Sequence, residues 1–477
     1  MYINGQRKES SNGKVIKVIN MSTMEIVGEV PAGTERDAQE ALIYGQQGAK
    51  EWGKVPTYKR VELIKLFTDK VRANLHDLAQ LLSKENGKPL KQAVEEIESV
   101  IHIFNGFAEE SKRLFGETIP LDIQPGLEED LLISLREPLG LVIGIIPFNY
   151  PAELFSWKVG ASLASGNAII VKPPEEAPLT ILKLVELMLE AGVPGNVLQA
   201  VTGFGEEVGV YLTESPLSNC ISFTGSYSTG VSIYQKGAEH LARVFLELSG
   251  NDAVIVCENA DISRAVDHVI EGRLESSGQI CCTNKRILIQ RSIYDSFTNN
   301  LIDKLATKVM GNQLDSATDI GPLISIEAAI RVEEQIKHTI SQGAKLICGG
   351  RRIKESFIEP TVLGNVTSDM DIANDMEVFG PVFPLLVFDT LDEAIGIVNQ
   401  SSFGLNSAIF TQDIQEAFYA GKELEAGIVV INGGPSYRPF CAAFGGHKKS
   451  GIGVEGLAYT LKEFTQLKSI VFRGVMK

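Results

Sequence analysis

Three polar side chains, set in apolar or proline-locked surroundings, hold the parts needed to attack a carbonyl and then release an acyl group. Cys281, in Ser277-Gly278-Gln279-Ile280-Cys281-Cys282, offers a thiol nucleophile. Glu247 stands 34 positions earlier, in Phe245-Leu246-Glu247-Leu248-Ser249-Gly250. Apolar neighbours desolvate a carboxylate and raise its pKa, which suits a general base working near neutral pH. Asn149, in Pro147-Phe148-Asn149-Tyr150-Pro151, offers an amide donor for an oxyanion. Each has a plainer reading by itself. A cysteine is more often a small buried hydrophobe, a glutamate a helix cap or strand-end ion pair, and an asparagine before proline a turn residue. No histidine lies near Cys281 in sequence to act as its base.

These residues need a scaffold, and the region from 139 to 248 supplies a regular one. Residues 140–146, 168–172, 196–200, 220–223 and 243–248 read as short apolar strands. Helical stretches at 153–165, 178–190, 205–213 and 228–238 separate them. Apolar strands alternating with helices predict a parallel sheet covered on both faces, a doubly wound α/β unit. Ligands of such sheets lie beyond the C-terminal strand ends. Asn149, Lys172, Gly203 and Gly225 all follow strands in this way. The first 118 residues read as mostly helical after a short β start. A second α/β unit spans 249–445, with strands near 254–256, 286–289 and 428–431. Residues 118–136 read as a protruding hairpin. The C-terminal stretch 468–472 reads as a strand with no local partner, an edge open to another chain.

Bulk properties narrow the function classes. A chain of 477 residues exceeds the ~250–300 at which single cores stop growing, so two or three domains are expected. Its net charge of −16, without a basic arm, excludes nucleic acid and anionic membranes as natural partners. The longest apolar run, 139–147, is far short of the ~18 residues of a membrane span. Six cysteines in this length do not form a disulfide framework, and the chain has no CxxC, HExxH or Cys/His cluster with zinc spacing. No metal and a cytoplasmic setting are therefore expected. Phe223-Thr224-Gly225-Ser226 follows a strand and opens a helix, a good place for a phosphate, but lacks the Lys-Ser/Thr of a Walker loop. Gly451-Ile452-Gly453-Val454-Glu455-Gly456 matches GxGxxG, yet no apolar strand precedes it.

Taken together, these segments resemble the aldehyde dehydrogenase family. Gly278-Gln279-Ile280-Cys281 resembles its nucleophile motif, in the register that makes Cys281 rather than Cys282 the nucleophile. Phe245 to Gly250 resembles its general-base motif, with Ser249 where the family has Gly. Pro147 to Pro151 resembles its P-W-N-F-P, with Phe148 for Trp. Lys172-Pro173-Pro174-Glu175, Glu377-Val378-Phe379-Gly380-Pro381-Val382 and Phe444-Gly445-Gly446-His447-Lys448-Lys449-Ser450-Gly451 match three further segments, the last with Ala443 where Pro is usual. The likeness runs from Glu85-Asn86-Gly87-Lys88-Pro89 to the C-terminal strand.

The resemblance implies a Rossmann-like cofactor domain (1–118 and 139–248), an α/β catalytic domain (249–445) and a small β oligomerisation arm (119–138 and 446–477). It implies NAD(P)-dependent oxidation of an aldehyde to a carboxylic acid through a Cys281 thioester. Asn149 and the Cys281 N–H would hold the oxyanion, and Glu247 would activate water. Lys172 and Glu175 would clamp the adenosine ribose, and a carboxylate at 175 would repel a 2′-phosphate, favouring NAD over NADP. Phe148, Gly205, Gly209, Phe223, Gly225, Ser226 and Leu248 complete the expected cofactor set, with Glu377 on the nicotinamide ribose and Phe379 beside its ring. Tyr437 and Arg438 fall at the substrate mouth, where an arginine suits an anionic or hydroxylated small aldehyde. Ile280 stands where triose-phosphate relatives often carry Arg, which argues against a phosphorylated substrate. A homodimer or homotetramer is implied. Three rivals remain beside this reading: a coenzyme A-acylating dehydrogenase, which often lacks the base; a binding protein without turnover; and a cysteine hydrolase.

Overall fold

The computed structural model describes residues 1–476, so Lys477, the last residue of the expected arm 446–477, lies outside the described residues. Two open sheets organise the chain. The first has five parallel strands in the spatial order Leu198–Ala200, Ala168–Lys172, Leu141–Ile145, Cys220–Thr224 and Arg243–Glu247. Four of them were legible to within about a residue because they are short apolar runs between helices, and three are buried at every position. The third, expected at 196–200, is shorter. Pro194 turns the chain, its carbonyl accepting the Val197 N–H, so pairing begins only at Leu198. The stretch 205–213 is also helical in two parts, a wide turn at Gly205–Gly209 and a regular one at Val210–Glu214.

Helices cover both faces of this sheet. Pro151–Ser165 is apolar nearly all round, and 14 of its 15 residues are buried. It packs against Leu90–Ser111, where Phe107 meets Trp157 edge to face at 5.6 Å between ring centres. Tyr2–Ile3 and Gln6–Arg7 close one border of the sheet. Gly451–Ile452 closes the other, running antiparallel to Leu246 and Glu247. The GxGxxG match is therefore an edge strand beside the general-base candidate.

The second sheet has six parallel strands, Thr361–Val366, Val382–Phe388, Arg286–Gln290, Ala253–Val256, Asn406–Phe410 and Ile428–Ile431. Lys345–Cys348 adds an antiparallel border. A third, small sheet corrects one expectation. The terminal strand is not without a partner: Thr465–Phe472 pairs along its full length with Leu131–Pro138, the second strand of the hairpin that begins at Glu117–Pro120. The partners are far apart in sequence, so no local pattern could signal the pairing. The strand still forms the sheet's border, and Leu467, Val471 and Phe472 on it are exposed. No helix among the described residues is long and apolar enough to cross a membrane.

Candidate active site

Asn149 lies on the turn between the strand Leu141–Ile145 and the helix Pro151–Ser165, and buried ion pairing fixes that turn. Proline at the first helical position presets the backbone for the helix start. Lys88 and Glu96 form an ion pair whose side chains are both 0% exposed. Lys88 Nζ also donates to the Asn149 carbonyl at 2.9 Å, and Glu96 Oε1 accepts the Ala152 and Glu153 N–H groups at 2.8 and 3.2 Å. Asn86 Nδ2 donates to the Phe148 carbonyl at 2.6 Å. The Glu85–Pro89 segment of the resemblance is thus the clamp behind the asparagine. Because a broken buried pair strands a charge, Glu96→Ala is expected to cost ~3–5 kcal/mol, while Lys91→Ala, which removes an exposed partner of Asp319, costs about 0–1 kcal/mol. Thermal unfolding of the two variants checks this contrast.

Cys281 follows a strained turn. Ser276 and Ser277 have φ of 46° and 55°, and Gly278 has φ of 81°. Left-handed backbone at two successive non-glycine residues persists only where the surroundings over-determine it. Here Gln92 accepts the Ser276 N–H at 2.9 Å and Ser277 Oγ donates to the Gly321 carbonyl at 2.9 Å. Gln279 donates to the Ser276 carbonyl at 3.0 Å and accepts the Ile324 N–H at 3.0 Å. A Cβ on Gly278 would lie 2.3 Å from the Gly380 carbonyl oxygen. The Gly-Gln pair before the cysteine therefore serves to hold the turn. After it, Lys285 Nζ donates to the Cys281 carbonyl at 2.5 Å and to the Gly250 carbonyl at 2.6 Å.

The strand end carrying Glu247 and the turn carrying Asn149 converge on this thiol. One cavity of about 100 Å³ is lined by Asn149, Glu153, Glu247, Glu275, Cys281 and Arg438, among others. Neither carboxyl oxygen of Glu247 has a hydrogen-bonding partner, nor has Asn149 Oδ1. Burial and the nearby Glu455 charge push the Glu247 carboxyl up, against the pull of Cys281, Arg438 and Lys158. The Cys281 thiol is pushed well above its ordinary value by its contact with the Cys282 thiol, by burial and by Glu247. A neutral thiol beside an unpartnered carboxyl is a proton donor waiting for its acceptor.

Most of the residues expected to hold a dinucleotide follow the C-terminal ends of the first sheet's strands. Lys172 Nζ donates to Glu175 Oε1 at 2.7 Å, and the Gly205 N–H donates to the same oxygen at 2.7 Å. A Cβ on Gly209 would meet nothing within 4 Å, although the residue is buried. Ser226 caps the helix Tyr227–Glu239, its Oγ accepting the Thr229 N–H at 3.4 Å. Phe223 and Leu248 lie beneath: a Cβ on Gly225 would sit 2.5 Å from the Phe223 ring, and one on Gly230 would sit 2.4 Å from Leu248. Phe148 and Phe379 meet edge to face at 6.1 Å. Glu377 Oε1 accepts Lys285 Nζ at 2.5 Å and the Gly250 N–H at 3.3 Å, leaving Oε2 for a ribose hydroxyl.

The two expected substrate residues part company. Arg438 lines the thiol pocket, but its guanidinium is already paired with Glu455 at 2.8 Å. Tyr437 is 65% exposed and lines a neighbouring cleft with Arg264 and His268. Sequence reading missed Lys158 and Glu455, which pair at 3.2 Å behind Glu247 with side chains 1% and 13% exposed. The signal for Lys158 was a charge that, with Glu153, interrupts an otherwise largely apolar helix. Glu455 had none, because only the edge strand brings it near. No group of three or more His, Cys, Asp or Glu among the described residues could hold a metal.

A thiol, a desolvated carboxyl and an asparagine line one pocket beside a doubly wound α/β sheet, an arrangement that fits the class of cysteine-dependent oxidoreductases. The chain belongs to the aldehyde dehydrogenase family, whose model matches residues 7–470, and it is an NAD(P)-dependent oxidoreductase acting on aldehydes. It is 37% identical over 475 residues to a lactaldehyde dehydrogenase of Methanococcus aeolicus, with 99% of each chain covered. It is 36% identical over 471 residues to a 3-sulfolactaldehyde dehydrogenase of Priestia aryabhattai, covering 99% of this chain and 97% of that one. The NAD+ complex of an aldehyde dehydrogenase from Bacillus cereus superposes with a TM-score of 0.95 at 33% identity, covering 99% of this chain and 96% of that chain.

Proposed function

We propose that this protein oxidises a small hydroxylated or anionic aldehyde to its carboxylic acid, with Cys281 as nucleophile, Glu247 as general base and Asn149 as oxyanion donor. The convergence of these three side chains on one cavity carries the reading. Cys281 passes its proton to Glu247 and its sulfur bonds to the carbonyl carbon. The resulting oxyanion is held by the Asn149 amide and the Cys281 N–H. Losing one such donor typically costs about 3–4 kcal/mol. Bound NAD(P) supplies the hydride acceptor that converts this adduct to a thioester on Cys281. Glu247 releases the thiol's proton to solvent and then, again as a carboxylate, takes a proton from water as the water oxygen attacks the thioester. The acid departs and the sulfur regains a proton.

On this reading residues 1–118 with 139–248 form the cofactor domain and 249–445 the catalytic domain. Residues 119–138 with 446–477 form the arm, whose exposed border strand joins a second copy into a homodimer or homotetramer. Free cysteines at all six positions suit a reducing cytoplasm. Lys172, Glu175, Gly205, Gly209, Phe148, Phe379, Gly225, Ser226 and Glu377 hold the cofactor, supported by Phe223 and Leu248.

NADH or NADPH formation over a panel of aldehydes tests the reaction. A coenzyme A requirement for turnover would replace the hydrolytic step, and silence across the panel would leave a binding protein. The cofactor preference has its own test. Glu175 puts a carboxylate where a 2′-phosphate would sit, and Glu175→Ser removes that repulsion while freeing Lys172. The ratio of kcat/KM with NADP to that with NAD is expected to rise about tenfold or more. An unchanged ratio would remove Glu175 as the discriminator.

A further inference from the structure

We propose that the pocket beside Cys281 selects a neutral, hydroxylated aldehyde, with Glu153 and Glu275 as its specificity-determining contacts, and that Arg438 is a positioning residue rather than the receptor for an anionic tail. The inference rests on the reading of Cys281 as the nucleophile and goes on to choose among polar aldehydes.

The charge on Arg438 is spent inside the protein. Its Nη2 reaches Glu455 Oε2 at 2.8 Å. The guanidinium lies 3.9 Å from the Phe444 ring centre and 4.7 Å from that of Trp157, and the side chain is 12% exposed. Glu455 also takes Lys158 on its other oxygen at 3.2 Å. Although burial alone would push the Glu455 carboxyl up, Lys158 and Arg438 hold it below its ordinary value, so the pairing is ionic. An incoming sulfonate or carboxylate would have to displace Glu455 to reach Arg438. It would meet the carboxyls of Glu153, Glu247 and Glu275 on the pocket wall while doing so. Arg438 is the one cation on that wall and is already paired, so an anion there would be desolvated without a counter-charge.

A cationic tail would meet those carboxyls, but burial, which pushes Glu153 and Glu275 up, weakens them as counter-charges, and no ring face is left for it. Recognition of an ammonium group uses the faces of aromatic rings. Here the protein's own cations cover those faces: Arg438 lies on Trp157 and Phe444, and Lys88 sits 3.7 Å from the Tyr150 ring centre.

Hydroxyl groups match what is left. Glu153 Oε1 accepts the Trp157 indole N–H at 3.4 Å, and Glu275 Oε1 accepts the Tyr150 hydroxyl. No protein hydrogen bond is made by the other oxygen of either carboxyl, and both residues line the pocket. Burial pushes both carboxyls up, toward the neutral form that donates as well as accepts. An alcohol also donates and accepts. Ser436 adds a hydroxyl to the same wall. Glu275 lines this pocket and both outer clefts, of about 690 and 420 Å³.

The test is kcat/KM with glyceraldehyde, propanal, succinate semialdehyde and 4-aminobutanal in the wild-type protein and in Glu153→Leu, Glu153→Gln, Glu275→Leu and Arg438→Gln. The wild type is expected to prefer glyceraldehyde over the other three by about tenfold or more. Glu153→Leu and Glu275→Leu should each lose about tenfold on glyceraldehyde, chiefly in KM, and stay within about threefold on propanal. Glu153→Gln, which keeps the shape and the hydrogen bonds, should retain the preference. Arg438→Gln should change all four substrates alike. A wild-type preference for the anionic or cationic aldehyde would overturn the proposal, as would an equal loss on propanal and glyceraldehyde in the Leu variants. So would a selective loss on succinate semialdehyde in Arg438→Gln. In each of those cases NADH formation on propanal leaves the Cys281 reaction standing. Absence of turnover on all four removes the reaction itself, and this inference with it.

Discussion

Cys281→Ala is expected to lower NADH formation by at least about 10⁴-fold, since removing a covalent nucleophile leaves only what binding and the oxyanion donors supply. NAD binding should survive, because the proposed cofactor residues at 172–175, 205–209 and 225–226 are presented by the first sheet's strand ends and a following helical turn rather than by the cysteine turn. Cys282→Ala is the discriminating control. Cys282 is 7% exposed and packs with Ile280, Leu405 and Phe444, so truncating it removes packing and about 1 kcal/mol or so of stability without removing a reacting atom. Its turnover should stay within a few-fold of the wild type. The opposite pattern, an active Cys281→Ala and a dead Cys282→Ala, would move the nucleophile by one residue. The two thiols also differ toward an alkylating agent. Both line the pocket, but Cys281 is the less buried of the two and sits beside Glu247, while Cys282 is part of the small apolar cluster.

The parts of this site that lie in contiguous runs were readable, and the parts assembled across the chain were not. Asn149, Glu247 and Cys281 each carry their local signature in five or six residues, because the turn, strand end or strained loop that presents each one is built locally. The first sheet was readable for the same reason: its central strands are buried on both faces and so are mostly apolar. What sequence could not supply was pairing at long range. The partner of Thr465–Phe472 lies in the hairpin near residue 131, and the partner of Leu246 and Glu247 lies at Gly451–Ile452. Arg438 shows the consequence for function. Its position at the pocket was foreseen, but its charge state as a receptor was not, because Glu455 arrives through that edge strand. A residue's chemistry belongs to its partners, and these were distant ones.

Glu247→Gln is expected to keep a stoichiometric burst of NADH and then stall, with steady-state turnover down by about 10²–10⁴-fold. The argument turns on what the side chain does in each half of the reaction. In acylation Glu247 only accepts the thiol proton, and a higher pH can do that work instead. The Cys281 thiol is held up by Cys282 and by burial as well as by Glu247, so in the variant the burst should quicken as pH rises and more thiolate forms. In deacylation the carboxylate must take a proton from water against the thioester, and glutamine has no basicity to offer. The pH dependence follows with a definite sign. Burial and the Glu455 charge raise the Glu247 carboxyl above its ordinary value, so the base form is lost as pH falls through that raised value and gained as pH rises through it. Wild-type steady-state turnover should therefore climb with pH from the acid side along a limb lying above the ordinary ~4.3 of a glutamate, and the variant should lack that limb. Rapid-quench measurement of the burst and the steady rate across pH separates the two halves. A normal steady rate in Glu247→Gln would remove it as the deacylation base. Loss of the burst at every pH would show instead that Glu247 is indispensable for forming the thiolate.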